Sequence, residues 1–494
     1  MLTFFKQESE GLIYVVQSRT QLGEKDVEKF RWLFGSCAEI TTEGIKGDFI
    51  GPRREMVTPW STNAVEITVN MGLQGIERIE VFRPKSGKMD PMLEMEYKSL
   101  TPDMFNQERQ PEPIKFIDHL EEYNEQQGLA LSFEEVRFLK YISRKIGRKL
   151  TDSEIFGFSQ VNSEHCRHKI FNGDFIIDGK EMEMSLFQWI KLTTKEHPND
   201  VISAYKDNVA FIDGPEIELF GPQNDDQPSE FVTRKVESVI SLKAETHNFP
   251  TTVEPFFGAS TGSGGEIRDR MAGGKGCMPL VGTAVYMTSK PQLEEPVADA
   301  DGVIPERRKF LYQTPEEILI KASNGASDFG NKFGQPLIVG SLLTFEHQEG
   351  KTLTGFDKVI MMAGGVGYGV KAQAIKGKPA PGNLIILMGG DNYRIGMGGG
   401  AVSSVETGKY TNSIELNAVQ RANPEMQKRV YNVVRALAES NDNPIVSIHD
   451  HGAGGHLNCF SELVEDTGGT IFLDKLPKGD PTLSDLEIIG NESQ

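Results

Sequence analysis

Val239-Ile-Ser-Leu-Lys-Ala-Glu-Thr-His-Asn-Phe-Pro250 is the stretch on which the reading of this chain turns. Val239–Leu242 has the composition of a short buried strand, and a polar string, Lys243 to Pro250, follows it directly. In sheets built together with helices, functional groups gather where strands end. The pattern recurs downstream. Short apolar strands ending in glycine-rich turns are expected at Pro279–Met287, Leu337–Val339, Val359–Met362, Leu384–Met388 and Ile445–Ile448. Helices lie between them. Asn423 and Pro424 supply an N-cap and a first helical residue for one, on which Met426, Val430, Val433 and Leu437 mark a face. Strands alternating with helices predict a mixed α/β or α+β fold.

Upstream the pattern differs. Residues 1–100 read as a small α/β domain, with strands at Ile13–Val16, Ala64–Val69 and Ile79–Phe82 and a helix over Asp26–Phe34. The polar stretch Lys85–Met89 is a turn or linker. Residues 101–160 are charged and helical. There Thr151-Asp-Ser-Glu154 fits a capping box, and the helix it starts carries Ile155, Phe158 and Val161 and delivers Ser163-Glu-His-Cys166 near its C-terminus. Two further units, 161–370 and 371–494, complete the division, in keeping with two to four domains for 494 residues. Ile488–Gln494 shows no closing strand or cap and reads as a cut through a longer chain.

The net charge of -19 would repel nucleic acid and anionic membrane, so neither is an expected partner. An anionic small substrate would need a local cluster of Lys, Arg or backbone N–H groups. Cys37, Cys166, Cys277 and Cys459 are far apart, giving neither a zinc pair nor a disulfide framework. With no signal peptide and no apolar run long enough to span a bilayer, a reducing cytoplasm is the expected home.

Three strings carry the chemistry. Asn162-Ser-Glu-His-Cys-Arg-His-Lys169 packs two His, one Cys and three charged side chains into eight residues. His165 is a candidate acid/base there, and Cys166 reads as a packed, reduced thiol. In Lys243–Pro250, Glu245 offers a hard oxygen to Mg²⁺, and Thr246, His247 and Asn248 offer hydrogen bonds to a phosphate or amide. The same string also fits a capped turn before Pro250. In Gly258-Ala-Ser-Thr-Gly-Ser-Gly-Gly-Glu-Ile-Arg-Asp269, glycines and hydroxyls suit a backbone that approaches a polyphosphate, though the spacing is neither a Walker loop nor a dinucleotide fingerprint. Arg268 can hold a phosphate through two parallel bonds, and Asp269 is a second metal ligand candidate. Gly396-Met-Gly-Gly-Gly-Ala401 and His449-Asp-His-Gly-Ala-Gly-Gly455 are weaker signals. Asp450 is a plausible third metal ligand, and the two flanking His lack a third partner for zinc.

Together, Asn162–Asn172, Gly258–Asp269, His449–Gly455, Thr58–Ala64 and Gly72–Arg78 resemble the large fused form of formylglycinamide ribonucleotide amidotransferase. The resemblance covers essentially the whole chain. It implies a small N-terminal domain, a helical linker, and the first half of a synthetase domain with the fold of aminoimidazole ribonucleotide synthetase. Residues 161–370 then form the ATP-binding subdomain and 371–494 a truncated C-terminal subdomain. The second synthetase half and the ammonia-supplying glutaminase are expected to be absent. The implied reaction uses ATP and Mg²⁺ to phosphorylate the amide oxygen of formylglycinamide ribonucleotide. Ammonia then displaces phosphate to give the amidine, a step of purine biosynthesis. By carry-over, His165 and His247 are catalytic, and Glu245, Asp269 and Asp450 hold metal. Thr246, Asn248 and Arg268 contact substrate. Nucleotide contacts fall on His168 and on Gly258, Ala259, Ser260, Thr261, Gly262, Ser263, Gly264, Gly265, Glu266, Ile267, Arg268 and Asp269. Two other readings stay open: another nucleotide-binding member of the same synthetase superfamily, or a non-catalytic assembly module.

Overall fold

A computed structural model describes residues 1–35, 37–40, 44–54, 56–87, 89–90, 93–106, 110–224, 227–292 and 308–492. Lys88, in the expected Lys85–Met89 turn, lies outside them, as do Ser493 and Gln494 of the expected cut. The chain is an α+β protein with two six-stranded sheets joined by a helical linker.

The first sheet contains β1 (Leu2–Lys6), β2 (Ile13–Ser18), β3 (Ala38–Ile40), β4 (Ile45–Pro52), β5 (Ile76–Pro84) and β6 (Glu94–Leu100), in the order β3-β1-β2-β5-β4-β6. Alternation along these strands sends side chains to two separate cores. Phe5, Val16 and Ile79 pack with α1 (Glu24–Leu33), while Phe4, Ile13, Val15 and Phe82 pack on the other face. The strand expected at Ala64–Val69 is instead part of α2 (Pro59–Asn70). Thr58 caps that helix by accepting from the Ser61 N–H, and Pro59 occupies its first position. Start signals of this kind outweigh the β-branched content of the run.

The linker holds α3 (Leu120–Gln127), α4 (Phe133–Ile146) and α5 (Asp152–Val161). Reciprocal capping boxes start α4 at Ser132/Glu135 and α5 at Thr151/Glu154, the second as expected. Val136, Leu139, Ile155 and Phe156 form its core. Then come α6 (His168–Asn172), the hairpin β7 (Ile176–Ile177) and β8 (Lys180–Glu181), and α7 (Leu186–Glu196).

The second sheet runs β13-β12-β16-β11-β10-β9. Its strands are β9 (Val201–Ser203), β10 (Ala210–Pro222), β11 (Phe231–Thr246), β12 (Met278–Thr288), β13 (Leu337–Thr344) and β16 (Ile360–Val370), with a small hairpin of β14 (Glu346–Glu349) and β15 (Thr352–Gly355). One face is covered by α8 (Asn248–Val253), α9 (Pro255–Met271) and α10 (Pro315–Phe333), which bury Ala259, Ala284, Tyr286, Met361 and Ala363. The other face leaves Leu242, Val366, Val339 and Leu343 exposed. After the sheet come α11 (Gly399–Ser403), α12 (Asn412–Ala418), α13 (Pro424–Ala438), α14 (Gly455–Leu463) and α15 (Asp485–Gly490). Asn423 caps α13 as expected, accepting from the Met426 N–H. Its buried face is Tyr431, Val434 and Ala438, and Val433 of the expected stripe is 48% exposed. Neither Leu384–Met388 nor Ile445–Ile448 forms a strand. An apolar run needs a neighbouring strand to satisfy its backbone, and Leu384, at 88% exposure, lies open to solvent.

Candidate active site

β11 continues past Leu242, through what was expected to be a turn, to Thr246. Pairing with β16 holds it there, with Lys243 opposite Gly365 and Glu245 opposite Ala363. The two-residue period places Lys243 and Glu245 on one face, their charged groups 3.4 Å apart, and Thr246 on the other. Thr246 is exposed and stands apart from the site's charges. The backbone then turns inward. The His247 N–H donates to the Met361 carbonyl at 2.7 Å, and Asn248 Oδ1 accepts from the Met361 N–H at 3.1 Å. Asn248 therefore spends its oxygen on docking α8 to β16.

His247 Nδ1 lies 2.5 Å from the Gly258 carbonyl oxygen. A carbonyl only accepts, so Nδ1 carries the proton and the neutral ring keeps its lone pair at Nε2. Burial depresses the His247 pKa more than this bond and Glu245 raise it, so the ring is neutral at physiological pH.

The glycine-rich string is not a phosphate loop. It forms most of α9, and residues 258–267 are all buried. Its backbone N–H groups close helical bonds, and the glycines serve close packing. A Cβ on Gly258 would stand 2.3 Å from the Pro250 carbonyl carbon, and one on Gly265 would stand 2.7 Å from Glu245 Oε1. Helix propensity argues against so many glycines, and the tertiary fit overrides it. Ser260 and Ser263 turn buried hydroxyls inward without partners, Thr261 bonds back to Phe257, and Glu266 pairs with Arg270. Among the twelve residues, only Arg268 and Asp269 reach the charges of β11 and Asp450.

Those charges converge. Lys243 Nζ lies 2.5 Å from Asp269 Oδ2. Arg268 Nε donates to Asp450 Oδ2 at 3.0 Å. Asn208, in the bend just before β10, bridges Asp450 at 3.1 Å and Asp269 at 3.4 Å. Burial, then the nearby Asp450 and Glu245 carboxylates, push the Asp269 pKa well above the usual carboxylate range despite Lys243. Burial also acts on Asp450, but Arg268 and a hydrogen bond from Asp269 outweigh it and hold its pKa low. The crowding thus falls unevenly: ionisation is disfavoured at Asp269 and favoured at Asp450. At Lys243 burial favours the neutral amine, yet Asp269 and Glu245 win and the ammonium persists.

His165 approaches from the C-terminal side of α5. Its Nδ1 is 2.6 Å from Ser163 Oγ, and the string is pinned by Glu164 N–H to Ser404 Oγ at 2.9 Å. Its ring is solvent-accessible, yet the surrounding protein withholds enough water to lower its pKa, with Glu245 opposing. Glu245 thus acts electrostatically on both histidines. Cys166 is exposed rather than packed as expected, because the turn after α5 carries it outward. Desolvation still raises its thiol, so it is not a thiolate at neutral pH. His168 lies at the start of α6 with its ring against the edge of Phe187.

Three participants escaped the sequence reading. Lys243 was legible, because it shares parity with Glu245 on one strand. Asn208 and Glu492 come from distant segments with no local signal. Glu492 accepts from the Gly454 N–H at 3.0 Å and from Gln420 at 2.6 Å, and burial raises its pKa to about 7. Two imidazoles beside Asp450, His451 and His456, are bonded to each other at 2.9 Å. Among the described residues no three His, Cys, Asp or Glu side chains form a ready metal cage.

Residues 11–102 match the formylglycinamide ribonucleotide amidotransferase N-terminal domain, and residues 120–169 match the linker domain of the same enzyme. Residues 380–494 match the AIR synthase related protein C-terminal domain. The chain is 36% identical over 486 residues to a phosphoribosylformylglycinamidine synthase of Dictyostelium discoideum. The chain thus carries the N-terminal and linker domains that define the formylglycinamide ribonucleotide amidotransferase models. The alignment covers 90% of this chain but 35% of the relative, so the chain spans about a third of that protein's length. Among solved structures, "T. maritima PurL complexed with FGAR" aligns over 73% of this chain and 46% of its own, at 23% identity and a TM-score of 0.46. "T. maritima PurL complexed with ATP" aligns over 73% and 45%, at 22% and 0.42. The site draws on three segments of the chain. His165 lies in the linker match, Lys243 to Asp269 lie between matches, and Gln420, Asp450 and Glu492 lie in the AIR-synthase-related match. No described helix is long and apolar enough to cross a membrane.

Proposed function

We propose that this chain provides substrate-binding and catalytic groups for the ATP-dependent conversion of formylglycinamide ribonucleotide to its amidine, with ammonia supplied by a glutaminase. The observation that carries this reading is the half-buried meeting of Lys243, Glu245, Arg268, Asp269 and Asp450, with His165 and His247 beside it, both pushed toward the neutral form. An amide oxygen is a poor nucleophile and oxide a poor leaving group, so phosphoryl transfer to that oxygen must come first. Negative charge spreads over the transferring group, and fixed cations answer it. Lys243 and Arg268 are held by their carboxylates, so they need no reorganisation at the moment of reaction. Ammonia then attacks the activated carbon and sheds a proton, and the C–O bond breaks to release inorganic phosphate. His247, with Nδ1 tied to Gly258, presents Nε2 as the acceptor, and His165 stands opposite Glu245 as the second acid/base.

The donor set fits a hard divalent cation. Glu245, Asp269 and Asp450 bring three carboxylates against two cations, and Mg²⁺ usually takes one or two protein carboxylates and completes its shell with phosphate and water. Glu245 and Asp269 would hold it, and bound magnesium would neutralise a polyphosphate. We read residues 1–100, 101–160, 161–370 and 371–494 as the units that deliver these groups.

Titrating the chain with AMPPCP in magnesium buffer and with formylglycinamide ribonucleotide tests the reading. Both should bind, and Glu245→Gln or Asp269→Asn should weaken AMPPCP at least about tenfold with melting little changed, as expected for loss of a charge-assisted contact. Undiminished AMPPCP binding by both variants would overturn the metal assignment. Ammonia-dependent turnover by this chain alone is expected to be undetectable.

A further inference from the structure

Asn208 lends one amide to two carboxylates, Asp450 at 3.1 Å and Asp269 at 3.4 Å. Both bonds are longer than the usual optimum, and the residue is exposed, so packing does not hold the amide in place. The backbone on either side of it must. Val209 is 3% exposed and sits against the turn that ends α9, where a Cβ on Gly273 would stand 2.6 Å from Val209 Cγ2. Asp207, with its carboxylate 7% exposed, is the other anchor. Oδ1 of Asp207 accepts from Lys376 Nζ at 2.8 Å and from the Asn208 N–H at 2.8 Å, and Oδ2 accepts from the Gly274 N–H at 2.9 Å. Among the described residues its hydrogen-bond and ion-pair partners include neither Asp269 nor Asp450.

Each of these partners belongs to a segment that carries a group of the site. Gly274 lies in the turn directly after α9, the helix of Asp269. It has no room for a side chain: φ is +57°, and a Cβ would stand 2.3 Å from the Gln373 carbonyl oxygen. Lys376 follows the short 3-10 turn Lys371–Gln373. Gly377, beside it, donates its N–H to the Val446 carbonyl at 2.7 Å, on the run that leads to Asp450. Asn443 ties the same segments together, donating to the Lys275 carbonyl at 2.9 Å and to Gln373 Oε1 at 2.8 Å. Asp269 lies ahead of β12 and Asp450 beyond β16, so no local geometry sets the distance between them. A binding constellation works only when its groups are held within about 0.5 Å of the productive arrangement. Asp207 is the point at which the three segments are bolted together, one residue from the amide that joins the two acids.

We propose that Asp207 and Lys376 are positioning residues of the site: their ion pair fixes the bend on which Asn208 stands, and Asn208 holds the Asp269 and Asp450 carboxylates at the spacing a magnesium-bound polyphosphate requires. The ligand rests on the function proposed above, but the mechanical chain from Lys376 through Asp207 to Asn208 does not. The test is a double-mutant cycle on the full chain, read by AMPPCP titration in magnesium buffer and by melting temperature. Asp207→Asn should weaken AMPPCP at least about fivefold where Asn208 is present and less than about twofold beside Asn208→Ala, because a clamp with nothing to hold has no further effect. Its cost in melting temperature should be the same in both backgrounds. Lys376→Met should follow the same pattern more weakly, and Lys376→Arg should keep most of the parent affinity. The Lys376 arm decides the matter if Asp207→Asn does not fold. Equal losses of affinity with and without Asn208, or no loss for either variant in the parent, overturn the proposal. A crystal structure of Asp207→Asn separates the clamp from the function. Should the parent chain bind no AMPPCP, the proposed function falls. An Asn208 amide withdrawn from Asp450 and Asp269 in that crystal then upholds the clamp, and one still bridging both overturns it.

Discussion

Within two turns of α9 the chain carries two charged groups of opposite design. Glu266 and Arg270 face inward at 1% and 0% side-chain exposure. Arg270 donates Nε to Glu266 at 2.8 Å and Nη1 to the Val366 carbonyl at 2.8 Å, and Gln335 completes both partners. Charges cancel and every guanidinium nitrogen has an acceptor. Arg268 and Asp269 face the site, where three carboxylates crowd two cations and burial with that crowding pushes the Asp269 pKa upward. The first arrangement is finished and holds the helix to the sheet. The second is unbalanced by one negative charge, an imbalance that a ligand with its own cation can correct.

The largest expected effect comes from opening the finished pair. Arg270→Met leaves Glu266 buried and unpaired, and should cost about 3–5 kcal/mol in urea unfolding. Replacing both partners by apolar residues should recover much of it. The glycines of α9 come next. Gly258→Ala forces a methyl into the Pro250 backbone and should cost roughly 1–3 kcal/mol. Gly265→Ala meets only the movable end of Glu245, so its loss should be smaller in stability than in AMPPCP affinity.

Asp269→Asn tests the unbalanced side. Because the folded-state pKa of Asp269 is raised, its favourable contribution is present below the unfolded value near 3.9 and lost as pH rises through the folded value. The variant should therefore be as stable as the parent at neutral pH or more so, with less decline in melting temperature on the alkaline side. The smallest expected effect is on the acid side. Burial lowers His451 to about 4 and His456 to about 3. Their contribution is complete above about 6.5 and lost as pH falls toward those values. His456→Asn should flatten the fall in melting temperature between pH 6.5 and 4, and an unchanged slope would show that the pair is not buried neutral.

Much of this architecture can be read from local signals. The capping box at Thr151 and the Asn423-Pro424 start are backbone chemistry, and β11, β12 and β16 follow from β-branched and apolar runs. The errors have two origins. Composition made α9 look like a loop, because the reason for its glycines lies in Pro250, His247 and Glu245, which reach it only through the fold. Thr58 and Pro59 outvoted the strand-like run after them. At the site, His165, His247, Glu245, Arg268, Asp269 and Asp450 were legible as chemistry, but their proximity depends on β11 running four residues beyond Leu242. Asn208 and Glu492 reach partners tens to hundreds of positions away, and no local pattern marks them.

Among the described residues nothing covers one face of the second sheet. There Leu242, Val366, Val339 and Leu343 form an oily wall that ends at β13, an edge with no further strand among the described residues. Water tolerates such a wall poorly, and open edges accept further strands. In dilute solution the chain should therefore behave as a sticky particle whose self-association rises with protein concentration and with salts that strengthen apolar contacts. A lysine placed at Val339 or Leu343 should disperse it without touching the chemistry on the far side of the sheet.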